Sequence, residues 1–406
     1  MNIQQLTLPE HKRILVTSDI HGHLTLLKEL LEKAGFSRDD ILVIVGDLVE
    51  KGPESLRTLR YVMNLREEYG KDNVIVLPGN VDLWRIQMLE DLDDGSSHAF
   101  YRYLEQMRQW KGTSLYDEVA LELGIRLDSP KQCVDAKAMM LERCSREFGF
   151  LRSLPAVVET QRYIFVHSGL PVSDRPEDLA TLKDRNIYDV LKYDAFLSSG
   201  RSFRKYVVAG HWPVCLYDDR IPQANPILNR ERHIISIDGG CGLKKDGQLN
   251  MLIIPDIHCN VEEISSVSCD GFEVFTALDS QEASEDSIHI HWGDNRIRIL
   301  QKGEDYSQVE HISSGYRLKL NNQYILNLQE PSGETDCDDY TDYRLPVKPG
   351  DRLSLVCRTQ DGCLVKKDGV TGWYHGNMKK GNPPYRKNAT SQSESRKSAA
   401  ERIRLL

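Results

Sequence analysis

The chain has 406 residues, of which 40% are hydrophobic and 28% charged, and its formal net charge at pH 7 is -9. The length allows two or three domains, while the acidic balance argues against non-specific binding to nucleic acid. No apolar run approaches the ~20 residues that a membrane span needs, and the N-terminus lacks the apolar stretch of a signal peptide. The nine cysteines are scattered without CxxC pairs, which favours reduced thiols over a disulfide framework. We therefore expect a cytoplasmic protein.

The first part of the chain alternates short apolar runs with helical patterns. It predicts strands at 13–18, 41–46 and 73–77, with helices at 24–34 and 53–69 between them. This β-α-β-α-β order predicts an α/β layered architecture. The pattern then turns mostly helical, which indicates an insertion at about 85–150. Strands resume at 163–166, 205–209, 233–237 and 249–254.

The character of the chain changes after Pro255. Short β-rich runs separated by Gly and Asp turns predict a β-rich C-terminal region at 257–378, after a first domain at 1–256. Within it, a PGD turn, a hairpin and the sequence GVTGWY resemble a bacterial SH3-like module at about 340–378. Its aromatic pair Trp373 and Tyr374 suits either a peptide-binding platform or a core. The basic, Ser-rich segment 379–406 is predicted to be a disordered tail.

Five short motifs stand directly after predicted strands, where an α/β sheet usually carries its functional site. They are SDIHG at 18–22, GD at 46–47, GN at 79–80, HSG at 167–169 and GH at 210–211. Carboxylate, amide and imidazole ligands together suit Mn, Fe or Zn better than a thiolate set would. A pair of such cations ~3.5–4 Å apart needs several O and N ligands and one bridging carboxylate. The motifs therefore predict a site for two divalent metals.

These motifs resemble those of the calcineurin-like metallophosphoesterases, and within them the phosphoprotein-phosphatase type. The family pattern runs GDxHG, GDxxxRG, GNH[DE], HxG and GH, and this chain shows SDIHG, GDLVEKG, GNVD, HSG and GHW in the same order. The resemblance covers roughly 13–255. It implies a layered β-sandwich flanked by helices, followed here by the β-rich region with its SH3-like module.

The resemblance also implies which residues hold the metals. Asp19, His21 and Asp47 would hold the first ion, and Asp47 would bridge to a second ion completed by Asn80, His167 and His211. Manganese is the first expectation, although iron, zinc and nickel suit the same ligands. The implied reaction is direct hydrolysis of a phosphate ester or anhydride by a hydroxide that bridges the two metals.

The expected substrate class is a phosphorylated protein or a nucleotide. A phosphoprotein is the first expectation from the family type, and the SH3-like module offers a contact for a peptide or protein partner. The run GDLVEKGPESLRTLR at 46–60 is similar to that of symmetrical diadenosine tetraphosphatases and of bacterial Ser/Thr/Tyr phosphatases. The stretch IDGGCGL at 237–243 is similar to a glycine-rich stretch of the same enzymes. A dinucleoside polyphosphate is therefore the alternative.

Two departures from the family pattern affect the predicted chemistry. Val81 stands where the family has the histidine that is its usual general acid, a loss that typically costs ~10²–10⁴ in rate. Lys51 stands where the family has a phosphate-clamping arginine, which keeps the charge but loses the bidentate fork. The predicted catalytic residues are Asp47, Lys51 and Asp82, and His23 is a candidate replacement proton donor. A third alternative is a catalytically weakened module that binds metal and a partner.

Overall fold

The computed structural model describes residues 1–360 and 362–381. They form two compact units, of which the first comprises Met1–Pro213 and Asn225–Gly271. The second comprises Val214–Ala224 and the described residues from Phe272 onward. Residues 382–406 of the predicted tail lie outside the described residues. Among the described residues, no helix has both the length and the apolar character to cross a membrane.

The first unit contains two sheets and the α-helices of the described chain. Its strands are β1 (Ile3–Gln5), β2 (Ile14–Thr17), β3 (Ile41–Val45), β4 (Val74–Leu77), β5 (Val157–Glu159), β6 (Tyr163–Val166), β7 (Tyr206–Ala209), β8 (Ile227–Asn229), β9 (Ile234–Ser236), β10 (Leu249–Ile254) and β11 (Ser265–Cys269). Its helices are α1 (Leu24–Ala34), α2 (Ser55–Tyr69), α3 (Asn80–Glu90), α4 (Ser97–Lys111), α5 (Leu115–Leu123), α6 (Pro130–Arg143), α7 (Ser145–Ser153), α8 (Pro176–Thr181) and α9 (Tyr188–Leu191). Short 3-10 turns lie at Leu182–Asp184, Phe196–Ser198 and Val261–Glu263.

The two sheets of the first unit pack face to face. One has the order β11-β10-β2-β3-β4 and the other β1-β5-β6-β7-β9-β8. Because side chains alternate across a strand, Val16 and Val43 of the first sheet meet Phe165 and Val208 of the second in one buried core. The predicted layered β-sandwich is confirmed.

Helices cover the outer faces of the sandwich. Leu15, on the opposite face of β2 from Val16, packs with Leu27 of α1 in a second core. On the other sheet, Ile164 of β6 packs with Leu179 of α8 in a third core. The helical segment predicted at about 85–150 forms α3 to α7, from Asn80 to Ser153, and buries its apolar side chains in the second core.

Several features of the first unit differ from the sequence prediction, and strand β8 and the short helices α8 and α9 are among the elements not predicted. The short strands β1 and β5 were not predicted, and they pair in parallel at the edge of their sheet. Helix α2 begins at Ser55, two residues after Pro53. Strand β11 pairs with β10, so the unit extends to Gly271 instead of ending at 256. The sequence SSVSC of β11 lacks an apolar run, because the strand lies at a sheet edge and is partly exposed.

The second unit is built from β-strands. They are β12 (Val274–Ala277), β13 (His289–Ile290), β14 (Arg296–Gln301), β15 (Tyr306–His311), β16 (Arg317–Asn321), β17 (Glu334–Asp336), β18 (Tyr340–Thr341), β19 (Arg352–Thr359), β20 (Gly362–Lys367), β21 (Val370–Tyr374) and β22 (Met378–Lys380), with 3-10 turns at Val214–Tyr217 and Asn322–Tyr324. They form sheets in the orders β21-β20-β19-β12-β22, β16-β15-β14-β17 and β13-β18. The β-rich region is therefore present, and the SH3-like module stays a prediction.

For the second unit, one of two open alternatives is selected and one boundary is corrected. Trp373 and Tyr374 are both buried, and the indole Nε1 of Trp373 donates a hydrogen bond of 2.7 Å to the carbonyl of Thr341. The pair belongs to the core of this unit, so it offers no exposed platform for a peptide. The predicted tail begins too early at 379, because Met378–Lys380 pair with β12 as the strand β22.

Candidate metal centre

The side chains predicted to bind metal all follow strands at one edge of the sandwich. Strands β2, β3 and β4 run parallel, and their carboxyl ends lead to Asp19, Asp47 and Asn80. Strands β6 and β7 also run parallel, and their carboxyl ends lead to His167 and His211. The topology therefore gathers residues that are far apart in the chain.

The loops that carry these residues have unusual backbone conformations. Six of the nine non-glycine residues with positive φ in the described chain belong to this region: Asp19, His21, Asp47, Glu50, Lys51 and His211. Such conformations cost about 1–3 kcal/mol each for an L-residue and cluster at functional sites. The fold maintains them with backbone hydrogen bonds between the loops, including that from Asp19 to Gly46 at 3.0 Å and from His21 to Asp47 at 2.9 Å.

The first group of ligand atoms comes from Asp19, His21 and Asp47. All three residues are buried, and their candidate ligand atoms lie within 4.8 Å of one another. The Nε2 atom of His21 is 3.9 Å from Oδ1 of Asp19 and 3.5 Å from Oδ2 of Asp47. One imidazole and two carboxylates thus converge on one point.

The second group comes from Asp47, His167 and His211, again within 4.8 Å of one another. The Nε2 atom of His167 is 3.5 Å from Oδ1 of Asp47 and 3.0 Å from Oδ1 of Asn80. Asn80 therefore joins this group. Asp47 presents Oδ2 to the first group and Oδ1 to the second, as a bridging carboxylate would.

The histidines are oriented by hydrogen bonds through their other ring nitrogens. His21 Nδ1 donates to the carbonyl of Val49 at 3.1 Å, and His167 Nδ1 donates to the carbonyl of Val45 at 2.8 Å. Since a carbonyl only accepts, both rings keep Nε2 as a lone-pair donor. His211 differs, because its Nε2 lies 2.8 Å from Oδ1 of Asp194, so Nδ1 is the ring nitrogen left for a metal.

The charges of the site fit divalent cations. Burial and the neighbouring carboxylate of Asp47 raise the pKa of Asp19 well above its usual range. Oδ1 of Asp19 is buried and has no hydrogen-bond partner among the described residues. A third buried carboxylate, Asp238, has its pKa raised by burial and by Asp19. Crowded carboxylates with an unpaired oxygen are stabilised by a bound cation.

The imidazoles are suited to metal binding for the same reason. Burial lowers the pKa of His21 to about 3, with Lys51 adding to the effect. Burial and His167 lower the pKa of His211 to about 4. Both rings are therefore neutral at pH 7, which is the form that ligates metals. The residues present fit a pair of divalent ions.

Two lysines bring positive charge to the centre. The Nζ atom of Lys51 lies 3.0 Å from Nε2 of His21, so its ammonium group borders the first group of ligand atoms. Lys192 Nζ lies 3.5 Å from Nε2 of His211 and contacts Asp194. Either ammonium group can neutralise a phosphate oxygen bound beside the ligands.

The carboxylate of Asp82 contacts backbone N–H groups of the loops after β3 and β4. Its Oδ1 accepts the N–H groups of Leu48 and Val49 at 2.9 and 3.2 Å, and its Oδ2 accepts that of Gly79 at 2.8 Å. Asp82 is fully buried, so it joins the loop after β3 to the loop after β4. The described contacts of Asp82 are thus to the backbone of these loops, and the catalytic role stays a prediction.

Neither Val81 nor His23 supplies an obvious proton donor. Val81 is buried and apolar, and it contributes only its backbone N–H, which donates to Oδ1 of Asp47 at 3.0 Å. His23 donates through Nδ1 to the carbonyl of His21 at 2.8 Å, and burial lowers its pKa. The Nδ1–H of His23 is therefore used in a bond to the backbone.

Sequence reasoning missed three residues of the centre. Asp238 follows the strand β9 within the glycine-rich stretch at 237–243, so the strand-end rule that found the other ligands applied to it as well. Lys192 and Asp194 lie after the short helix α9, in a segment without a regular pattern. No periodicity or motif marks them, and only the folded chain brings them to His211.

Comparison with known proteins gives a family and a set of relatives. A family model described as calcineurin-like phosphoesterase matches residues 12–218, about half of the chain. A symmetrical bis(5'-nucleosyl)-tetraphosphatase of Buchnera aphidicola subsp. Acyrthosiphon pisum (strain 5A) is 36% identical over 85 residues, which cover 21% of this chain and 29% of the relative. The same-named protein of Pseudomonas entomophila (strain L48) is 48% identical over 66 residues, covering 16% and 21%. The chain thus spans less than a third of the length of either.

Among solved structures, a protein serine/threonine phosphatase from Saccharomyces cerevisiae with similarity to human phosphatase PP5 aligns at 12% identity with a TM-score of 0.41. The alignment covers 67% of this chain and 84% of that one.

Proposed function

This chain belongs to the calcineurin-like phosphoesterase family, and we propose that it is a metal-dependent hydrolase that cleaves a phosphoanhydride bond of a dinucleoside polyphosphate. The observation that carries this proposal is the pair of ligand groups that share Asp47. Two divalent cations held there would lower the pKa of a bound water and neutralise phosphate charge.

In this proposal each side chain has a defined task. Asp19, His21 and Asp47 hold one cation, and Asp47, Asn80, His167 and His211 hold the other. Manganese is the proposed metal, because the set combines carboxylate, amide and imidazole donors and contains no thiolate.

The residues around the ligands bind and orient the substrate. Lys51, beside His21, holds a phosphate oxygen through its ammonium group. Asp82 keeps the loops after β3 and β4 in register through three backbone hydrogen bonds. The Asp194 carboxylate bonds Nε2 of His211 and so leaves Nδ1 for the cation.

The absence of a histidine at position 81 favours an anhydride over an alkyl phosphate ester. A serine or threonine leaving group has a high pKa and needs a proton from a general acid as it departs. A nucleoside diphosphate leaves as a stable anion and depends on that proton far less. Val81 cannot donate one, so a polyphosphate substrate suits this site best.

The names of the relatives support the same substrate class. Both are symmetrical bis(5'-nucleosyl)-tetraphosphatases, at 36% and 48% identity over the matched segments. This reverses the order of the sequence expectations, in which a phosphoprotein came first. A phosphoprotein remains the second candidate, because the motifs resemble those of the phosphoprotein-phosphatase type. The cytoplasmic location and the SH3-like module remain predictions, and no substrate argument rests on them.

A substrate panel tests the proposal. The native chain, Asp47→Asn and the surface control Asp39→Asn would each be assayed with Mn²⁺ on diadenosine tetraphosphate and on a phosphoserine peptide. We expect the native chain and the control to release nucleoside diphosphate at equal rates, and Asp47→Asn to lose at least about 100-fold.

The same panel separates the alternatives. Greater turnover of the phosphoserine peptide than of the dinucleotide would select the phosphatase function. Absence of turnover on both substrates, with metal bound to the native chain, would select the weakened binding module.

A further inference from the structure

A cavity of about 410 Å³ lies in the first unit beside Lys51. The loop after β3 contributes Glu50 and Lys51 to its lining, and helices α3 and α4 contribute Arg85, Tyr103, Met107 and Trp110. Its volume lies within the range of small-molecule sites, about 300–1,000 Å³. The metal centre described above uses Lys51 alone of these residues.

One side of the cavity is cationic. The guanidinium of Arg85 lies 4.3 Å from the ring centroid of Tyr103, and only 15% of the Arg85 side chain is exposed. Its Nε is buried without a hydrogen bond among the described residues, although the carboxylate of Glu50 lies 3.5 Å away. Glu50 is itself held by the hydroxyl of Tyr103 and by the N–H of Leu115 at 3.3 Å. Arg85 is therefore fixed in place by Glu50 and Tyr103 while it lines the cavity, and its planar guanidinium is the type of group that binds phosphate.

The other side of the cavity is aromatic and apolar. Trp110 is 51% exposed, which is a large exposed fraction for a tryptophan, and Met107 beside it is buried. The ammonium group of Lys111 lies 4.0 Å from the Trp110 ring centroid, so a further cation stands at the rim. An indole next to several cations suits a ligand that combines a flat ring with negative charge.

Lys51 links this cavity to the metal centre. Its side chain lines the cavity, and its Nζ lies 3.0 Å from Nε2 of His21. Glu50 and Lys51 both have positive φ, so the loop turns sharply at this point. Glu50 lines the cavity, and Lys51 borders both the cavity and the metal centre. A substrate with phosphate at the metal ligands can therefore extend along Lys51 toward Arg85 and Trp110.

We propose that this cavity is a nucleoside diphosphate subsite, in which the base packs against Trp110 and the phosphates face Lys51 and Arg85. The assignment rests on the proposed function, since it gives one half of the dinucleoside polyphosphate a place beside the reacting phosphate. The helical insertion then selects the substrate, because Trp110 and Met107 lie on α4 and Arg85 lies on α3. A phosphopeptide carries no base to pack against Trp110 and no second linked phosphate for Lys51 and Arg85.

Equilibrium binding of ADP tests the subsite independently of turnover. Titration calorimetry would compare the native full chain with Trp110→Ala, with the conservative variant Trp110→Phe and with Leu121→Ala. Leu121 is the matched control, because it lies on α5 of the same insertion and is 82% exposed. We expect Trp110→Ala to weaken ADP binding about tenfold or more, and Trp110→Phe and Leu121→Ala to change it less than about threefold.

Turnover of diadenosine tetraphosphate and of inorganic tetraphosphate by the same proteins separates the two proposals. The subsite predicts that Trp110→Ala raises KM for the dinucleotide and leaves the inorganic substrate unchanged. Equal ADP affinity of the native chain and Trp110→Ala, or no ADP binding by the native chain, overturns the subsite even if turnover is observed. Trp110-dependent ADP binding without any turnover supports the subsite and removes the proposed hydrolysis.

Discussion

The backbone N–H of His211 donates a hydrogen bond of 2.9 Å to Oδ2 of Asp19. These residues follow β7 and β2, which belong to the two different sheets of the sandwich. The bond therefore joins the sheets at the edge where the ligand groups lie. It leaves Oδ1 of Asp19 directed to the first group, so the backbone itself sets which carboxylate oxygen is available. The geometry of the centre thus depends on how closely the loops approach one another.

One very close approach is at Gly79, and it yields the first prediction. A Cβ atom on Gly79 would lie 2.0 Å from Oδ1 of Asp47, the oxygen that faces the second group. Gly79→Ala must displace the bridging carboxylate, so we expect turnover to fall at least about 100-fold. The control is Gly149→Ala, since a Cβ there meets no atom within 4 Å. Equal turnover by the two variants, measured with Mn²⁺ present, would show that Asp47 has no bridging role.

A second prediction concerns the proton for the leaving group. Val81→His restores the donor that the family uses, next to Asp47 at the start of α3. We expect turnover of a phosphoserine peptide to rise about tenfold or more, and turnover of diadenosine tetraphosphate to change less than about threefold.

Leu83→His is the matched control for that substitution, because position 83 lies two residues further along the same helix. An equal rise on both substrates for Val81→His would mean that leaving-group protonation does not explain the substrate preference.

Much of the fold and of the candidate site follows from local patterns in the sequence. The parallel strands β2, β3 and β4 are apolar on both faces, because each is covered by the other sheet and by helices, so they stand out as continuous runs. The predicted metal ligands follow such runs, which allowed their placement at one edge. The geometry brings all six together, although their role as ligands stays a prediction.

The remaining features depend on long-range contacts that leave no local signal. Strand β1 spans only Ile3–Gln5 and is defined by its pairing with β5, more than 150 residues away. Lys192 and Asp194 reach His211 only after the segment following β6 folds back. The contacts of Asp82 are also invisible in the sequence. An acidic residue near a strand end suggests catalysis, whether its oxygens face solvent or, as here, backbone N–H groups.

A third prediction concerns the docking of the helical insertion. Glu118 of α5 accepts the N–H groups of Ser55 and Leu56 at the start of α2, at 2.7 and 2.9 Å. Burial raises the pKa of Glu118 from 4.5 to about 7. Between these values the folded chain keeps the proton that the unfolded chain releases, so stability must fall as pH rises from about 4.5 to about 7.

The variant Glu118→Gln removes this titration and keeps an acceptor oxygen for one of the two N–H groups. We expect the free energy of unfolding of the native chain to drop by up to about 3 kcal/mol more than that of the variant between roughly pH 5 and pH 8. Urea unfolding of both proteins at the two pH values measures the difference. Identical pH profiles would show that Glu118 ionises equally well in the folded and unfolded chains.

The most direct test of the central claim is the number of divalent ions bound per chain. The native protein, Asp47→Asn and Asp39→Asn would be equilibrated with Mn²⁺, freed of excess metal, and measured by elemental analysis against protein concentration. The shared position of Asp47 predicts two ions in the native chain and in Asp39→Asn, and fewer in Asp47→Asn. A native chain that binds no metal, or an Asp47→Asn variant that retains both ions, would contradict a two-metal centre bridged by this carboxylate.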